Sequence, residues 1–235
     1  MKDNIIVLIT GANRGLGLEF VRQLLARGDR VIAACRHPGR ANELTAQAAA
    51  HPGRLHVLPL DLGRDASIAE LAREAQMLFD GLDLLIGNAG VLVAGERFGQ
   101  LRAEDLESSF RSNAAGPLLL VQALAPLLAR GNAPWVAHVS SVMGSIASTE
   151  SFRSPSYGMS KAALNMATVQ LAHALQADGV RCVALHPGWV RTDMGGPNAS
   201  IEPTEAVAGM LGVIARLGAG DSGRFLDHRG QPLPW

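Results

Sequence analysis

The residues Ile5-Ile-Val-Leu-Ile-Thr-Gly-Ala-Asn-Arg-Gly-Leu-Gly17 give the clearest indication of how this chain folds. Its first five residues form a continuous apolar run, which is typical of a parallel strand covered on both faces. A glycine-rich turn follows, and then an amphipathic helix with Leu18, Val21 and Leu24 on one face, which we expect to end at Gly28. Glycines let the backbone approach a phosphate, and a helix N-terminus offers free N–H groups. The glycines alone are compatible with an ordinary turn, but their position directly after a buried strand favours a pyrophosphate cradle.

The alternation of strands and helices continues along the chain without a break in composition. Such alternation produces a parallel sheet with helices on both faces. We therefore predict an α/β fold, a single doubly wound Rossmann domain of residues 1–235 with a seven-stranded parallel sheet. Residues 1–90 would form mainly the dinucleotide-binding half, and residues 91–235 the catalytic and substrate-binding half. Further strands are predicted at 30–35, 55–60, 82–86, 135–139, 180–185 and 224–227, and further helices at 41–50, 68–79, 104–130, from 155 to about 177, and at 204–217.

Composition excludes several classes of partner. The 235 residues carry no net charge and are 48% hydrophobic, so nothing indicates a nucleic-acid or membrane partner. Cys35 and Cys182 lie in apolar strands, which favours core thiols over a disulfide or a metal site. The histidines of residues 37–56 lack metal-ligand spacing, and we predict no metal. The apolar run at residues 5–10 is too short for a signal peptide or a membrane span, so we predict a cytoplasmic protein.

Tyr157 and Lys161 stand out because both residue types are rare here. Tyr157 is the only tyrosine, and Lys161 is one of two lysines among 21 basic residues. Their four-residue spacing places both side chains on one face of a helix. An ammonium beside a phenol favours the phenolate, so we expect Lys161 to lower the pKa of Tyr157 from about 10 toward neutrality. A chance pair on an ordinary helix would have the same spacing, and the other motifs must decide between the two interpretations.

The end of the second predicted strand carries basic residues in place of an acid. Arg36 and Arg40 lie there, and Arg14 lies in the glycine-rich turn. In dinucleotide-binding folds an acid at this position binds the ribose 2′-hydroxyl, whereas arginine accommodates a 2′-phosphate. Any one of the three arginines is compatible with a solvated loop. Together they favour NADP(H) over NAD(H).

A proline interrupts the long helix predicted at residues 104–130. Pro117 has no N–H and clashes with the carbonyl four residues earlier, which belongs to Asn113. We therefore expect a local defect that frees the Asn113 carbonyl, which could hold a water. A plain proline kink is the alternative.

In their order along the chain, these motifs resemble those of the classical short-chain dehydrogenases/reductases. The resemblance covers nearly the whole chain, and within the family it is greatest to the Sniffer and C-factor-like carbonyl reductases. The motifs that carry it are Thr10-Gly-x-x-x-Gly-x-Gly17, Asp61-Leu62, Asn88-Ala-Gly90, Asn113, Ser141, Tyr157-x-x-x-Lys161 and Pro187-Gly188.

The resemblance implies an NADP(H)-dependent oxidoreductase that reduces a ketone, aldehyde or quinone to an alcohol. Tyr157 would be the general acid, and Lys161 would lower its pKa and hold the nicotinamide ribose. Ser141 would orient the substrate oxygen, and Asn113 would anchor a water that relays protons. We choose Ser141 over Ser140 because it has the family's Ser-x-x-Gly context. Its distance of sixteen residues from Tyr157 is slightly longer than in most members.

The resemblance also implies which residues bind the cofactor and the substrate. Asp61 would contact the adenine, Asn88 and Gly90 the ribose side, and Thr192 the carboxamide. The full cofactor set is Gly11, Asn13, Arg14, Gly15, Leu16, Gly17, Arg36, Arg40, Asp61, Leu62, Asn88, Ala89, Gly90, Tyr157, Lys161, Pro187, Gly188, Val190 and Thr192. The substrate set is Ser141, Met143, Phe152, Trp189 and Met194, with Ile146 adding to an apolar lining.

The predicted partners are a small carbonyl or alcohol substrate and further copies of this chain. The helix that contains Lys161 is apolar on nearly all sides, which indicates burial on both faces. A homodimer or a homotetramer would provide the second contact, and the sequence does not decide between them.

Three other functions compete with the reductase. A non-catalytic NADP(H)-binding regulatory or signalling protein could use the same fold, although such proteins usually lose the tyrosine or the lysine. A sugar-nucleotide epimerase of the extended branch is disfavoured by the glycine spacing and the small C-terminal region. A serine hydrolase is disfavoured because no nucleophile-elbow sequence surrounds Ser141.

Overall fold

Seven parallel strands form one sheet in the computed structural model, which describes residues 4–235. Their order across the sheet is β3-β2-β1-β4-β5-β6-β7. This arrangement confirms the predicted α/β, doubly wound fold. The strands are β1 (Ile6–Thr10), β2 (Arg30–Cys35), β3 (Leu55–Pro59), β4 (Leu84–Gly87), β5 (Trp135–Val139), β6 (Arg181–His186) and β7 (Arg224–Asp227).

Helices cover both faces of the sheet, so the protein has two hydrophobic cores. Successive residues of a strand point to opposite faces; Ile9 of β1 lies in the core beneath α1 and α7, while Leu8 lies in the core beneath α3, α5 and α6. The continuous apolar run of β1 is explained by this burial on both sides. The helices are α1 (Gly15–Arg27), α2 (Asn42–Ala50), α3 (Asp65–Leu78), α4 (Ala103–Phe110), α5 (Gly116–Leu128), α6 (Pro155–Ala174) and α7 (Pro203–Arg216).

The helix predicted at residues 104–130 is two helices joined by a π-helical turn at Arg111–Ala115. The N–H of Gly116 donates to the carbonyl of Arg111, five residues earlier. Pro117 follows in the first turn of α5, where its missing N–H costs little. The predicted defect is therefore present, but the chain accommodates the proline by inserting a wider turn around Asn113 rather than by a simple kink.

The carboxyl ends of the central strands meet at one edge of the sheet, where the strand order reverses. β1 pairs with β2 on one side and with β4 on the other. In open α/β sheets, ligands bind in the crevice beside such a switch point. The glycine-rich turn follows β1, Asn88 follows β4, and Ser141 follows β5, so three of the predicted motifs meet there.

Two further findings concern the cysteines and the hydropathy of the helices. Cys35 and Cys182 are buried free thiols, as predicted. Among residues 4–235, no helix is both long enough and apolar enough to cross a membrane.

Candidate active site

The glycine-rich turn leaves an open space at the start of α1. Gly11 has a φ of +65°, which favours glycine, and a Cβ atom there would lie 2.9 Å from the Cα of Ala89. A Cβ atom at Gly17 would lie 2.2 Å from the carbonyl oxygen of Gly11. The amide of Asn88 donates to the carbonyl oxygens of Thr10 at 2.9 Å and Gly11 at 3.2 Å. Gly11 and Gly17 therefore let the turn fold tightly against Ala89 and against its own backbone. Residues 11 and 13–16 of the turn line a cleft at the N-terminus of α1, where a pyrophosphate fits.

The predicted phosphate-binding arginines have three different environments. Arg36 lines the cleft at the end of β2, where no carboxylate is found. Arg14 also lines the cleft, and its Nη1 atom lies 2.8 Å from Oδ2 of Asp193. Arg40 ends a short helical turn at residues 38–40 and does not line the cleft. The corner of the cleft formed by Arg14 and Arg36 is therefore basic, but Arg14 already has an anionic partner in Asp193.

A cleft of about 340 Å³ connects this corner to the Tyr157 helix, α6. It is lined by every predicted cofactor-binding residue except Gly17 and Arg40, and by every residue of the predicted substrate set except Phe152. Gly17 is instead used for the close packing of α1 on the turn. Phe152 does not line the cleft, and its ring packs edge-on against Phe98 with the ring centroids 5.7 Å apart. Ile146 is 79% exposed and does not line the cleft either.

Several lining residues that were not predicted from the sequence lie next to predicted ones. Leu92 follows the Asn88-Ala-Gly90 motif, His186 precedes Pro187-Gly188, and Asp193 follows Thr192. Proximity to a motif was the signal that could have found these three. Arg153 lies four residues before Tyr157, in a loop whose course the sequence did not indicate.

Ser141, Tyr157 and Lys161 meet in the cleft. Nζ of Lys161 lies 5.6 Å from the centre of the Tyr157 ring and donates to the carbonyl oxygen of Val139 at 2.8 Å. The side chain of Ser141 hydrogen-bonds with that of Tyr157. By contrast, the Ser140 hydroxyl donates to Oδ1 of Asn165 at 2.6 Å. Of the two serines, Ser141 is therefore the one that contacts the tyrosine hydroxyl.

Burial controls the proton affinities of the tyrosine and the lysine. It raises the pKa of Tyr157 to about 12, and the hydrogen bond with Ser141 opposes this only in part. Burial also lowers the pKa of Lys161 to about 8. The expectation that Lys161 brings the Tyr157 pKa toward neutrality is wrong here, because desolvation is the larger effect. Tyr157 consequently keeps its proton at neutral pH.

Asn113 lies behind the cleft and does not line it. Its amide nitrogen donates to the carbonyl of Val91 at 2.8 Å and to the hydroxyl of Ser160 at 2.9 Å, and its Oδ1 atom accepts from the N–H of Val91 at 2.8 Å. Gly90 leaves space here, since a Cβ atom would lie 3.4 Å from Oδ1 of Asn113 and 3.7 Å from Nζ of Lys161. The side chain of Asn113 thus joins the π-helical turn to the loop after β4 and to the helix that carries Lys161.

Comparison with known proteins identifies a family. Residues 5–202 match the family model described as short chain dehydrogenase. Among curated proteins, the chain is 45% identical over 154 residues to the C-signal of Myxococcus xanthus, an alignment that covers 66% of this chain and 93% of that protein.

Solved structures match the fold over its whole length. The NADPH-bound carbonyl reductase from chicken fatty liver is 38% identical to this chain, with a TM-score of 0.93 and complete coverage of both chains. The carbonyl reductase Sniffer of D. melanogaster is 32% identical, with a TM-score of 0.94 and complete coverage of both.

Proposed function

We propose that this chain, which belongs to the short-chain dehydrogenase family, is an NADPH-dependent reductase of carbonyl compounds. The observation that carries the proposal is the meeting of Ser141, Tyr157 and Lys161 in the cleft that begins at the glycine-rich turn. A dinucleotide cradle alone would indicate only that the protein binds a dinucleotide. The addition of a buried, protonated phenol beside a buried amine supports catalysis.

NADP(H) is the proposed cofactor. The glycine-rich turn lines the cleft at the N-terminus of α1, and the end of β2 carries Arg36 where an acid would favour NAD(H). The NADPH-bound chicken carbonyl reductase is a relative over the full chain. We expect NADPH to bind at least about tenfold more tightly than NADH, which corresponds to about 1.4 kcal/mol. Calorimetric titration of both cofactors tests this, and equal affinities would contradict it.

In the proposed mechanism, Tyr157 donates its proton to the carbonyl oxygen of the substrate. Bound NADPH supplies the hydride. Ser141 orients the substrate oxygen through its hydroxyl, and Lys161 holds the nicotinamide ribose. With a pKa of about 8, Lys161 is mostly protonated at neutral pH, so its charge stabilises the negative charge that develops on the Tyr157 oxygen.

Asn113 has a positioning role in this proposal. Its side chain fixes the loop at Val91 and the helix at Ser160, next to Lys161. We propose in addition that the main-chain carbonyl of Asn113 anchors the water that returns protons to Lys161, since Pro117 has no N–H to donate to that carbonyl.

The Tyr157→Phe protein tests the reductase function. Removal of one hydroxyl leaves the ring packing and the cofactor cradle in place, so NADPH affinity and melting temperature should change little. The single-turnover rate with an accepted carbonyl compound should fall by about a hundredfold or more, which is the scale of general acid catalysis. A rate within about threefold of the wild type would contradict the mechanism.

A non-catalytic NADP(H)-binding signalling protein is the second candidate. The observation that favours it is the 45% identity to a relative named C-signal. The retained tyrosine and lysine favour the reductase. The same variant separates the two, because a binding protein would keep both its NADPH affinity and its biological effect after Tyr157→Phe.

The substrate is proposed to be an apolar ketone, aldehyde or quinone. Met143, Trp189, Met194 and Leu92 contribute apolar surface to the cleft near the catalytic residues. The loss of NADPH absorbance with a panel of carbonyl compounds would rank the candidates.

The protein is further proposed to assemble as a homodimer or homotetramer and to act in the cytoplasm. Apolar side chains are exposed on the outer faces of α4, α5 and α6, which in a monomer would lie in water: Phe110, Leu118, Met159 and Met166.

A further inference from the structure

We propose that Arg153 binds a carboxylate on the substrate, so that the cleft accepts apolar carbonyl compounds that carry an acidic group. This inference rests on the proposed function and assigns its substrate class. Arg153 becomes a specificity-determining residue, distinct from the residues that carry out the reduction.

Arg153 lies where it can reach a substrate in the cleft. It lines the cleft, it is exposed, and it lies four residues before Tyr157. The next residue, Ser154, has a φ of 42°, a left-handed conformation that is uncommon for residues other than glycine. α6 begins immediately afterwards at Pro155. The loop is therefore sharply turned where it delivers Arg153 to the mouth of the cleft.

The guanidinium of Arg153 has no anionic partner among the described residues. The acid that lies against the start of α6 is Glu96, and it is already engaged. Its Oε2 atom accepts from the hydroxyl of Ser156 at 2.8 Å and from the N–H of the same residue at 3.3 Å. A planar guanidinium with its donors free is well suited to bind a carboxylate through two parallel hydrogen bonds.

Of the other charged groups of the cleft, Arg36 is assigned above to the 2′-phosphate of the cofactor, and the rest have partners within the protein or are neutral. Asp193 is paired with Arg14, and Oδ1 of Asp61 accepts from the N–H of Gly63 at 2.9 Å. Nζ of Lys161 is bound to a backbone carbonyl. Burial lowers the pKa of His186 to about 4, so that lining side chain is neutral. Near Tyr157, Arg153 is thus the available cation of the described lining.

The remaining surface there is apolar, and this determines the rest of the substrate. Leu92, Met143 and Met194 offer no group that binds a charge, and Trp189 uses its indole N–H on the carbonyl of Gly195 at 2.8 Å. A matching substrate would have its carbonyl at Tyr157, an apolar body along these side chains and a carboxylate at Arg153.

Two aldehydes that differ in charge test the inference: 4-formylbenzoate and its methyl ester. kcat/KM for each would be measured with the wild type, Arg153→Ala and Arg153→Lys. Arg73→Ala is the matched control, because Arg73 is an exposed arginine on α3, away from the cleft. Differences in intrinsic reactivity between the aldehydes cancel when each is compared across proteins.

We expect Arg153→Ala to lower kcat/KM for the acid about fivefold, the upper end of the contribution of an exposed ion pair, and to leave the ester within about twofold. Arg153→Lys should retain part of the preference, and Arg73→Ala all of it. Binding of the product 4-(hydroxymethyl)benzoate to the protein without cofactor, followed by ligand-observed NMR, should weaken in Arg153→Ala. An equal loss for acid and ester would overturn the inference, as would a change in NADPH affinity alone. Failure of the wild type to reduce either aldehyde or any other carbonyl compound would instead contradict the proposed function.

Discussion

Gly144 packs directly against the backbone of Lys161: a Cβ atom at position 144 would lie 2.7 Å from the carbonyl carbon of Lys161 and 2.8 Å from the N–H nitrogen of Ala162. The turn that begins at Ser141 therefore lies flat on α6 at the level of Lys161. This contact gives a physical reason for the Ser-x-x-Gly spacing, because the glycine allows the serine loop to reach the tyrosine.

Gly144→Ala should separate the serine loop from α6. We expect a stability loss of about 1–3 kcal/mol, as for other overpacked sites, and a loss of reductase activity larger than the unfolded fraction explains. Thermal melting and kcat/KM measured on the same preparation test this. Gly220→Ala is the control, since a Cβ atom there meets nothing within 4 Å. Equal effects of the two substitutions would refute the role of the contact.

His138 should make the protein sensitive to acid. Its Nδ1 atom lies 2.9 Å from the hydroxyl of Thr168, which itself donates to the carbonyl of Leu164, so His138 donates and its buried Nε2 has no partner in the described residues. Burial lowers its pKa to about 3, with a smaller contribution from the charge of Lys161. Between pH 6.5 and about 3 the unfolded chain binds a proton at this histidine and the folded protein does not, so stability is lost as the pH falls.

The His138→Asn protein isolates this effect, because asparagine can bond to Thr168 without titrating. Urea unfolding at several pH values should show that the wild type loses about 1.4 kcal/mol per pH unit more than the variant below pH 6. His186 is present in both proteins, and its contribution cancels. Parallel pH profiles for the two proteins would mean that His138 is protonated in the folded state.

The pKa of Tyr157 illustrates what can and cannot be predicted from a sequence. The spacing of Tyr157 and Lys161 correctly predicts that they are neighbours on a helix. The spacing does not indicate that the sheet and loops exclude water from both side chains. This burial raises the pKa of Tyr157 to about 12. Residues at the ends of parallel strands could be predicted to converge because the fold itself brings those ends to one edge.

Loops and helix defects were less predictable. The strand bounds Arg30–Cys35, Trp135–Val139 and Arg224–Asp227 match the structure, since apolar runs mark buried strands clearly. Pro117 indicated a broken hydrogen bond, but a wider turn and a kink satisfy that condition equally well. Arg153 reaches the cleft through a left-handed Ser154, a conformation that no local pattern of the loop requires.

The ion pair of Arg14 and Asp193 should compete with NADPH. Both side chains are more than half exposed, so the pair itself contributes about 0–1 kcal/mol. Asp193→Asn frees the guanidinium for a 2′-phosphate and removes a negative charge from the same corner. NADPH should then bind about three- to fivefold more tightly, with NADH affinity unchanged. Glu104→Gln, which breaks the exposed pair with Arg102 on α4, is the calorimetric control. A gain for both cofactors alike would mean that Arg14 does not meet the 2′-phosphate.

The exposed apolar face of α6 should mediate self-association. Met159 and Met166 are about two turns apart on the same side of the helix, and they are 62% and 60% exposed. Closed symmetric dimers are the commonest assembly, and in such a dimer this face would meet its own copy. Met166→Glu would place two like charges in that interface, while in the isolated subunit it alters only a solvated side chain. We expect light scattering to find a particle larger than 24.7 kDa for the wild type and a smaller one for the variant.

Met77→Glu, at an 81% exposed methionine on α3, should leave the particle unchanged and serves as the control. A wild-type particle of 24.7 kDa at micromolar concentration would exclude the assembly, and an unaltered Met166→Glu particle would exclude this face.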